Sequence, residues 1–334
     1  MDSVTPRLTS GLALLGMNVL FVGGCIQPSG GACPEKVSAQ DTVAVPADAP
    51  LYVGGGDPYQ SGPLEYEKIE LERCARRNPV PLLIYAPTQP GAYAVVVFQH
   101  GFMARNDNYD TILQHLASHG FVVVAPQMYE PGLGALLGNP TAQEEASLAL
   151  QVVDWLPGHL DLGSGVTART DRIGLAGHSR GGKVAWIMLK TSAARFQAIA
   201  GVDPVDGTGG PLGNQTRVVQ GTFPFVTPSL VIGTGLGGSC APAGDNHVQF
   251  YAASQPPAWH VVVPNQGHGD MLDDDAASAA ASVCRSGTNR DGMRRLTAGL
   301  LTSLFRAKLQ GDEAALDYLV DRNAAPIPFE VESR

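Results

Sequence analysis

The amino-acid sequence predicts an α/β fold, in which one domain holds a mostly parallel central sheet with helices on both faces. Short segments that are apolar throughout alternate along the chain with amphipathic helical segments. This alternation is typical of parallel sheets, whose strands are buried on both faces. One apolar segment leads directly into a Gly-x-Ser-x-Gly motif at residues 177–181, and an apolar helical segment follows the motif. With 44% hydrophobic residues in 334, the chain has enough apolar material for a large core.

Each predicted element follows from its own local pattern. Strands are predicted where apolar residues run together between turn signals, and helices where apolar residues recur every three or four positions. In chain order, the predicted elements are strands at 81–87 and 93–100, a helix at 108–120, a strand at 121–126, a helix from the capping residue Thr141 to about 156, a strand at 171–176, a helix at 183–190, strands at 196–202, 228–233 and 259–264, and a helix at about 293–310. The predicted domain spans residues 51–312, and a C-terminal tail follows at 313–334. Functional groups are expected at the carboxyl ends of the strands, where the loops of a parallel sheet meet.

Charge and composition argue against several classes of partner. The net charge is −9 and no basic run is present, which argues against binding of nucleic acid or of an anionic membrane surface. After residue 30 no segment is long and apolar enough to span a bilayer. No C-x-x-C spacing indicates a zinc site, and no metal or cofactor is expected. We therefore expect a globular protein whose partner is a small molecule.

The N-terminal residues differ from the rest of the chain. Residues 11–24 form an apolar run of signal-peptide length, with Cys25 directly after it. Residues 22–25 (Val-Gly-Gly-Cys) resemble a bacterial lipobox, in which the cysteine is acylated after cleavage. The sequence predicts a signal peptide at 1–24, a flexible tether at 25–50, and an exported lipoprotein that contacts a membrane through the lipid on Cys25. The alternative is an ordinary cleaved signal peptide and a periplasmic or secreted protein.

Ser179, at the centre of the Gly-x-Ser-x-Gly motif, is the predicted nucleophile. A sharp strand-to-helix turn exposes such a serine, and the small residues Gly177 and Gly181 let the strand and the helix approach each other. A plain turn serine is the alternative interpretation. A serine hydroxyl needs a general base, and in this α/β-hydrolase fold the acid and then the histidine follow the serine along the chain. Both partners are therefore expected downstream of Ser179.

His268 is the predicted base. It comes directly after the last predicted strand, at the position where this fold delivers its histidine. His247 also lies in a loop after a strand and is the weaker alternative base. Its other interpretation is a structural one, in which it forms hydrogen bonds that position the loop. His260 falls within a strand pattern, so we expect it to be structural.

Asp203 is the predicted acid because it ends the strand at 196–202, where a carboxylate is buried and aimed before the reaction. Pro204 stiffens the backbone directly after it. Two other carboxylates stay open as alternatives, namely Asp206, which a turn also explains, and Asp245, which follows the next strand. Most hydrolases of this fold carry the acid at that later position.

Two backbone N–H groups are predicted to form an oxyanion hole. Arg180 follows the nucleophile and supplies the first. The second is assigned to Phe102, in the loop after the strand at 93–100, with Gly101 letting the chain bend toward the site. His100 is expected to fix this loop and not to act as a second base. The side chain of Arg180 has no predicted role.

The cysteines permit disulfides. An exported chain that begins at Cys25 keeps four further cysteines, an even number that allows two bridges. Cys240 and Cys284 both lie near the proposed site, so this pair is favoured. Cys33 lies in the predicted tether, and its pairing with Cys74 stays open.

Several segments resemble the chlorophyllase family of α/β-hydrolases. Residues 177–183 (Gly-His-Ser-Arg-Gly-Gly-Lys) are similar to the serine motif of that family, and residues 203–207 (Asp-Pro-Val-Asp-Gly) to the segment that carries its acid. Residues 231–237 and 240–242 (Cys-Ala-Pro) extend the similarity, and residues 246–247 (Asn-His) and the acidic segment at 267–275 are its more specific blocks. The resemblance spans roughly residues 80–310.

The resemblance implies Ser179 as nucleophile, Asp203 as acid and His268 as base. Chlorophyllases cleave chlorophyll to chlorophyllide and phytol, so it implies a serine carboxylic-ester hydrolase that acts through an acyl-enzyme on an apolar ester. The apolar loops at 128–137 and 222–226 are expected to flank a pocket for a long apolar alcohol, with ordinary surface packing as the alternative.

Two other functions stay open. One is a broad carboxylesterase, lipase or polyester hydrolase, and the other is a non-catalytic binding protein on the same fold. Plant chlorophyllases are chloroplast or cytoplasmic proteins, so the predicted export of this chain differs from the setting of the family it resembles.

Overall fold

The central feature of the computed structural model is a mixed sheet. The structure describes residues 1, 33, 50–132, 138, 140–163, 165–207 and 216–334. The strands are β1 (Tyr66–Leu71), β2 (Leu82–Pro87), β3 (Gly91–Gln99), β4 (Phe121–Pro126), β5 (Val166–His178), β6 (Phe196–Val202), β7 (Ser229–Thr234), β8 (Ala258–Val263) and β9 (Glu330–Ser333). Within these ranges the nine strands form one sheet in the order β1-β2-β4-β3-β5-β6-β7-β8-β9. The neighbours from β4 to β8 pair in parallel, and β1, β2 and β9 add antiparallel pairs at the two edges. The predicted single-domain α/β fold is confirmed.

Helices cover both faces of the sheet. They are α1 (Asp110–Ser118), α2 (Ala142–Trp155), α3 (Arg180–Ser192), α4 (His247–Ala253), α5 (Asp274–Ala280) and α6 (Arg290–Phe305). Thr141 caps α2 as the sequence predicts, because its hydroxyl accepts from the Glu144 amide over 3.2 Å while the Glu144 carboxylate accepts from the Thr141 amide over 2.7 Å. Helices α1, α5 and α6 pack on one face, and α2, α3 and α4 pack on the other.

Strand β3 shows why the central strands read as continuous apolar runs. Val96 and Phe98 point into the core beneath α1 and α6, whereas Val95 and Val97 point into the core beneath α2 and α3. All four side chains are buried, so an unpaired polar group at any of these four positions would be costly. Burial of a side chain of this size stabilises the fold by roughly 1.5–3 kcal/mol.

The folded domain continues beyond residue 312, where the sequence predicts a tail. Strand β9 pairs with β8 and closes that edge of the sheet. The side chains of Leu319, Ile327 and Phe329 are buried in the core on the α6 face. These apolar residues lie eight and two positions apart, so they form neither a helical nor a strand repeat that a sequence pattern would reveal.

Two disulfides lie within the compact unit Cys33–Arg334. Cys240 pairs with Cys284, as the sequence favours, and Cys33 pairs with Cys74. Apart from Met1, the predicted signal peptide at 1–24 lies outside the described residues. So do Cys25, nearly all of the tether, and residues 133–137 of the apolar loop at 128–137. In the part of the chain that is described, no helix has both the length and the apolar character needed to cross a membrane.

Candidate active site

Ser179 occupies a sharp turn between β5 and α3. The strand ends at His178 and the helix begins at Arg180, so Ser179 alone reverses the chain, with φ 54° and ψ −122°. A positive φ is costly for a residue with a side chain and is typical of a serine held exposed at a strand-to-helix turn. A Cβ atom on Gly181 would lie 2.2 Å from the backbone oxygen of Gln99, so only glycine lets α3 approach the end of β3.

His268 is hydrogen-bonded to both predicted partners. Its Nε2 atom lies 2.8 Å from Oγ of Ser179, and its Nδ1 atom lies 2.6 Å from Oδ2 of Asp203. Since an ionised carboxylate can only accept, Nδ1 carries the proton and Nε2 accepts from the serine hydroxyl. The structure thus brings the three predicted residues together in the tautomer that general-base catalysis requires.

Asp203 is fully buried at the carboxyl end of β6. Its carboxylate also accepts from the backbone N–H of Thr234 over 3.1 Å and from the Thr234 hydroxyl over 2.7 Å. Burial alone raises the pKa of the Asp203 carboxyl, but the hydrogen bond and charge of His268, with His247 and Thr234, outweigh burial and lower that pKa. Asp203 is therefore ionised and fixed in orientation at neutral pH.

The two alternative acids have other partners. Asp206 is buried in an ion pair with Lys183, 3.1 Å between Oδ1 and Nζ, and accepts from the backbone amides of Val218 and Val219. Asp245 pairs with Arg217. Both carboxylates are therefore paired away from His268. Asp203, which directly follows strand β6, is the carboxylate that contacts His268.

The alternative base is also engaged elsewhere. His247 is the first residue of α4, and its Nδ1 atom lies 2.7 Å from Nε2 of His260 on β8. His260 in turn lies 2.8 Å from the Glu332 carboxylate on β9. His247 and His260 thus tie α4 to the sheet edge, and His268 is the histidine that contacts Ser179.

Phe102 lies in the loop after β3, and the backbone amides of both its neighbours, Gly101 and Met103, already donate hydrogen bonds within the protein. The Gly101 N–H donates to Tyr109 Oη over 3.0 Å, and the Met103 N–H donates to Tyr129 Oη over 3.1 Å. A Cβ atom on Gly101 would lie 3.3 Å from Cβ of Ser179, which places this loop against the nucleophile. The amide of Phe102 is therefore the candidate donor in this loop.

His100 fixes the same loop. Its Nε2 atom accepts from the Met128 amide over 3.0 Å, and its Nδ1 atom lies 2.9 Å from the carbonyl oxygen of Gly101. Complete burial lowers the pKa of His100 to about 4, so the ring is neutral and each nitrogen has one role. These contacts match the loop-fixing role expected from the sequence.

The side chain of Arg180 has contacts that sequence reasoning missed. Its guanidinium donates to Glu145 over 2.6 Å and to the Pro140 carbonyl, and it lies 5.8 Å from the centre of the Phe102 ring. Burial raises the pKa of Glu145 to about 7, against the opposing charge of Arg180. Arg180 thus links helix α2 to both predicted oxyanion donors. The sequence feature that could have indicated this contact is Glu145, an acidic residue in the first turn of α2, whose side chain is buried.

Among the described residues, no group of three or more His, Cys, Asp or Glu side chains is placed to hold a metal ion. An α/β sheet with a hydrogen-bonded Ser–His–Asp set at its strand ends defines an α/β protein of the hydrolase class.

Comparison with known proteins identifies the family. The family model described as Chlorophyllase matches residues 56–333, and the chain belongs to the chlorophyllase family. Chlorophyllase-2 of Arabidopsis thaliana is 36% identical over 285 residues, covering 78% of this chain and 87% of the relative. Chlorophyllase-1, chloroplastic, of Citrus unshiu is 36% identical, covering 79% of this chain and 84% of its own length. Chlorophyllase type 0 of Chenopodium album is 31% identical, covering 80% and 82%. The resemblance seen in the sequence is confirmed, and the chain is a hydrolase of the chlorophyllase type.

Proposed function

We propose that this protein is a serine carboxylic-ester hydrolase that cleaves the phytyl ester of chlorophyll, giving chlorophyllide and phytol. The observation that carries the proposal is the pair of hydrogen bonds made by His268, 2.8 Å to Ser179 and 2.6 Å to Asp203. A serine hydroxyl becomes a competent nucleophile only when a positioned base accepts its proton. Membership of the chlorophyllase family supports the choice of ester.

The reaction follows from the hydrogen-bond pattern. Oγ of Ser179 attacks the ester carbonyl carbon while its proton moves to Nε2 of His268, and the carbonyl oxygen takes the negative charge. The amides of Phe102 and Arg180 stabilise this oxyanion. When the intermediate collapses, the C–O bond to the alcohol breaks and the imidazolium returns the proton to phytol. A water molecule then releases the acid by the same steps.

Asp203 contributes through charge and orientation. The imidazolium that forms at His268 is stabilised by the adjacent carboxylate, and the Thr234 contacts hold that carboxylate in one orientation. Buried ionised carboxylates are costly unless they are fully hydrogen-bonded. The three hydrogen bonds that the Asp203 carboxylate accepts, from the amide and hydroxyl of Thr234 and from Nδ1 of His268, together with its lowered pKa, support a permanent anion behind the base.

An apolar substrate is supported by the surface beside the nucleophile. Phe102, whose amide is a proposed oxyanion donor, leaves 46% of its area exposed. A bulky aromatic ring at the mouth of the site suits a phytyl chain or a tetrapyrrole face better than a small polar ester. A broad carboxylesterase that accepts short esters is the competing interpretation, since the same catalytic groups serve both.

We also propose that the protein is exported and anchored by a lipid on Cys25, as the lipobox-like residues 22–25 predict. The two disulfides support an oxidising compartment, because such bridges persist outside the reducing cytosol. Labelling of expressing cells with radioactive palmitate tests the anchor. The protein should incorporate the label, and Cys25→Ala should not; equal labelling of the two contradicts the anchor.

A fluorophosphonate probe tests the proposed chemistry. The probe should label the wild type at Ser179, as mass spectrometry of the labelled peptide would show, and should leave Ser179→Ala unlabelled. Absence of labelling in a folded wild type would support the non-catalytic binding protein instead. Parallel rates with chlorophyll a and p-nitrophenyl butyrate then separate a chlorophyllase from a broad esterase.

A further inference from the structure

Two buried side chains, Tyr109 and His178, connect the loop of the proposed oxyanion donor with the loop of the proposed base. The Gly101 N–H donates to Oη of Tyr109 over 3.0 Å. Oη of Tyr109 lies 2.8 Å from Nδ1 of His178. Nε2 of His178 lies 2.8 Å from the carbonyl oxygen of His268. A continuous chain of three hydrogen bonds therefore runs from one loop to the other.

The direction of each hydrogen bond follows from the groups at the two ends of this hydrogen-bond series, the Gly101 amide and the His268 carbonyl. The carbonyl oxygen of His268 can only accept, so Nε2 of His178 carries the proton and Nδ1 is the acceptor. Nδ1 then accepts from the Tyr109 hydroxyl, whose oxygen accepts from the Gly101 amide. One neutral tautomer of His178 thus satisfies every donor and acceptor.

Burial keeps both side chains in the required state. Tyr109 is fully buried and His178 is 4% exposed. Burial, with a smaller contribution from His268, lowers the pKa of His178 to about 3, so the ring stays neutral at any pH where the protein is expected to act. Burial also raises the pKa of Tyr109, which keeps its hydroxyl proton available to His178.

The sheet itself does not connect the two loops. His178 ends β5, and in the strand order β3 is its neighbour on one side, whereas β8 lies three strands away on the other. The loop that carries Phe102 follows β3, and the loop that carries His268 follows β8. His178 lies between them at the strand ends, beside Ser179, and its ring lies 4.7 Å from that of His268, centre to centre.

We propose that Tyr109 and His178 are positioning residues that set the distance between the oxyanion donor and the base. Gly101 directly precedes Phe102, so the bond to Tyr109 holds the Phe102 peptide in place. The carbonyl group of His268 belongs to the base itself, so the bond from His178 holds its ring against Ser179. The inference rests on the proposed function, because it assigns these residues to the acyl-transfer geometry. Displacement of reacting groups by about 1 Å can cost roughly 100-fold in rate.

Three substitutions distinguish the effects of the individual hydrogen bonds in this series. In His178→Gln, the amide nitrogen takes the place of Nε2 and keeps the bond to the His268 carbonyl while the bond from Tyr109 is lost. In His178→Asn, the shorter amide keeps the bond from Tyr109 and loses the bond to His268. Tyr109→Phe keeps the aromatic ring and releases Gly101. Tyr93→Phe is the matched control, because it removes a buried tyrosine's hydrogen bond to Gln89, away from the site.

The experiment measures the rate constant for fluorophosphonate labelling of Ser179 and the kcat and KM for p-nitrophenyl butyrate, with Tm as the check of folding. We expect roughly 10- to 100-fold lower labelling and kcat in His178→Asn and Tyr109→Phe, with KM within about twofold. His178→Gln should retain more activity than His178→Asn, and Tyr93→Phe should match the wild type.

Equal rates for the Gln and Asn variants, or rates within twofold of wild type for all three, overturn the inference. So does a loss of rate that only parallels the loss of Tm, which would indicate a structural role. If the wild type itself is not labelled, the proposed function fails and the inference falls with it. Where His178 variants do not fold, Tyr109→Phe against Tyr93→Phe decides.

Discussion

Nε2 of His268 lies 2.8 Å from Oγ of Ser179, although 89 residues separate the two in the chain. The contact forms because Ser179 follows β5 and His268 follows β8, and both strands end at the same edge of the parallel sheet. Asp203 completes the set from the end of β6, between the two. The parallel topology thus assembles the site from three separate segments.

Replacement of Asp203 tests the choice of acid. Asp203→Asn should lower kcat for p-nitrophenyl butyrate by roughly 10⁴-fold, because an amide cannot hold Nδ1 of His268 protonated or stabilise the imidazolium. Asp245→Asn is the matched control, since Asp245 pairs with Arg217 and not with His268, and it should change kcat less than about twofold. A reversed order of the two effects would assign the acid to Asp245.

A methyl group on Gly181 should disturb the proposed oxyanion hole. In Gly181→Ala the new Cβ would lie 2.2 Å from the Gln99 oxygen and 2.5 Å from the His100 oxygen, which forces the loop before Phe102 away from α3. We expect kcat to fall by roughly 100- to 1,000-fold, the effect of losing one oxyanion donor. Gly55→Ala, at a position with open space around it, is the control. A Gly181→Ala enzyme with wild-type kcat would contradict the placement of this loop.

Buried histidines should make the protein acid-sensitive. Burial lowers the pKa of His100 and His119 to about 4 and that of His178 to about 3, while the unfolded chain binds these protons near the ordinary pKa of histidine. Between pH 6.5 and 4 the unfolded state therefore binds more protons, and the free energy of unfolding falls as pH falls.

Glu145 has the opposite effect on stability. Burial raises its pKa to about 7, so between pH 4.5 and 7 the folded state holds a proton on Glu145 that the unfolded state lacks. This one proton opposes the three that the histidines bind only in the unfolded state. The net slope should be about 2–3 kcal/mol per pH unit near pH 5. Urea unfolding at pH 5.5 and pH 4.5 measures it. Stability that is unchanged or higher at pH 4.5 would show that these histidines are protonated in the folded protein.

The disulfide between Cys240 and Cys284 should support both stability and activity. It closes a loop of 44 residues that contains His268, and the amide of Gly287, just after Cys284, donates to Asp270 beside the base over 2.6 Å. Cys240→Ser/Cys284→Ser should lower the free energy of unfolding by about 2–4 kcal/mol and also lower kcat.

The other disulfide provides the control for that prediction. The bridge between Cys33 and Cys74 closes a loop of similar length, 41 residues, that contains no proposed catalytic residue. Cys33→Ser/Cys74→Ser should therefore cost a similar free energy of unfolding and leave kcat unchanged. Equal losses of kcat in the two double variants would mean that the Cys240–Cys284 bridge has no specific effect on the site.

The sequence was sufficient for the seven strands β2 to β8 and for the catalytic candidates that follow them, whereas the edge strands β1 and β9 were not predicted. Asp203 and His268 could be predicted because each directly follows an apolar strand, and the parallel sheet brings such positions together. The contacts of the Arg180 side chain could not be predicted, because Glu145 and Phe102 come from distant elements whose relative distance depends on packing. The same holds for His178, which joins Tyr109 to the main chain of His268.

The C-terminal residues escaped prediction for a different reason. Strand β9 is four residues long and lies at the sheet edge, with only one half-buried side chain among exposed ones. Such a segment carries no apolar alternation, so its pairing with β8 depends on backbone hydrogen bonds that a sequence pattern does not encode. The buried Leu319, Ile327 and Phe329 bring the chain back to that edge.

Hydrolysis of chlorophyll a tests the central proposal most directly. Purified wild type and Ser179→Ala are incubated with chlorophyll a in detergent, and chlorophyllide a is measured by chromatography. We expect the wild type to release chlorophyllide a and phytol in equal amounts, and Ser179→Ala to release neither. A wild type that hydrolyses p-nitrophenyl butyrate but forms no chlorophyllide, or a Ser179→Ala variant that still forms it, would contradict the proposal.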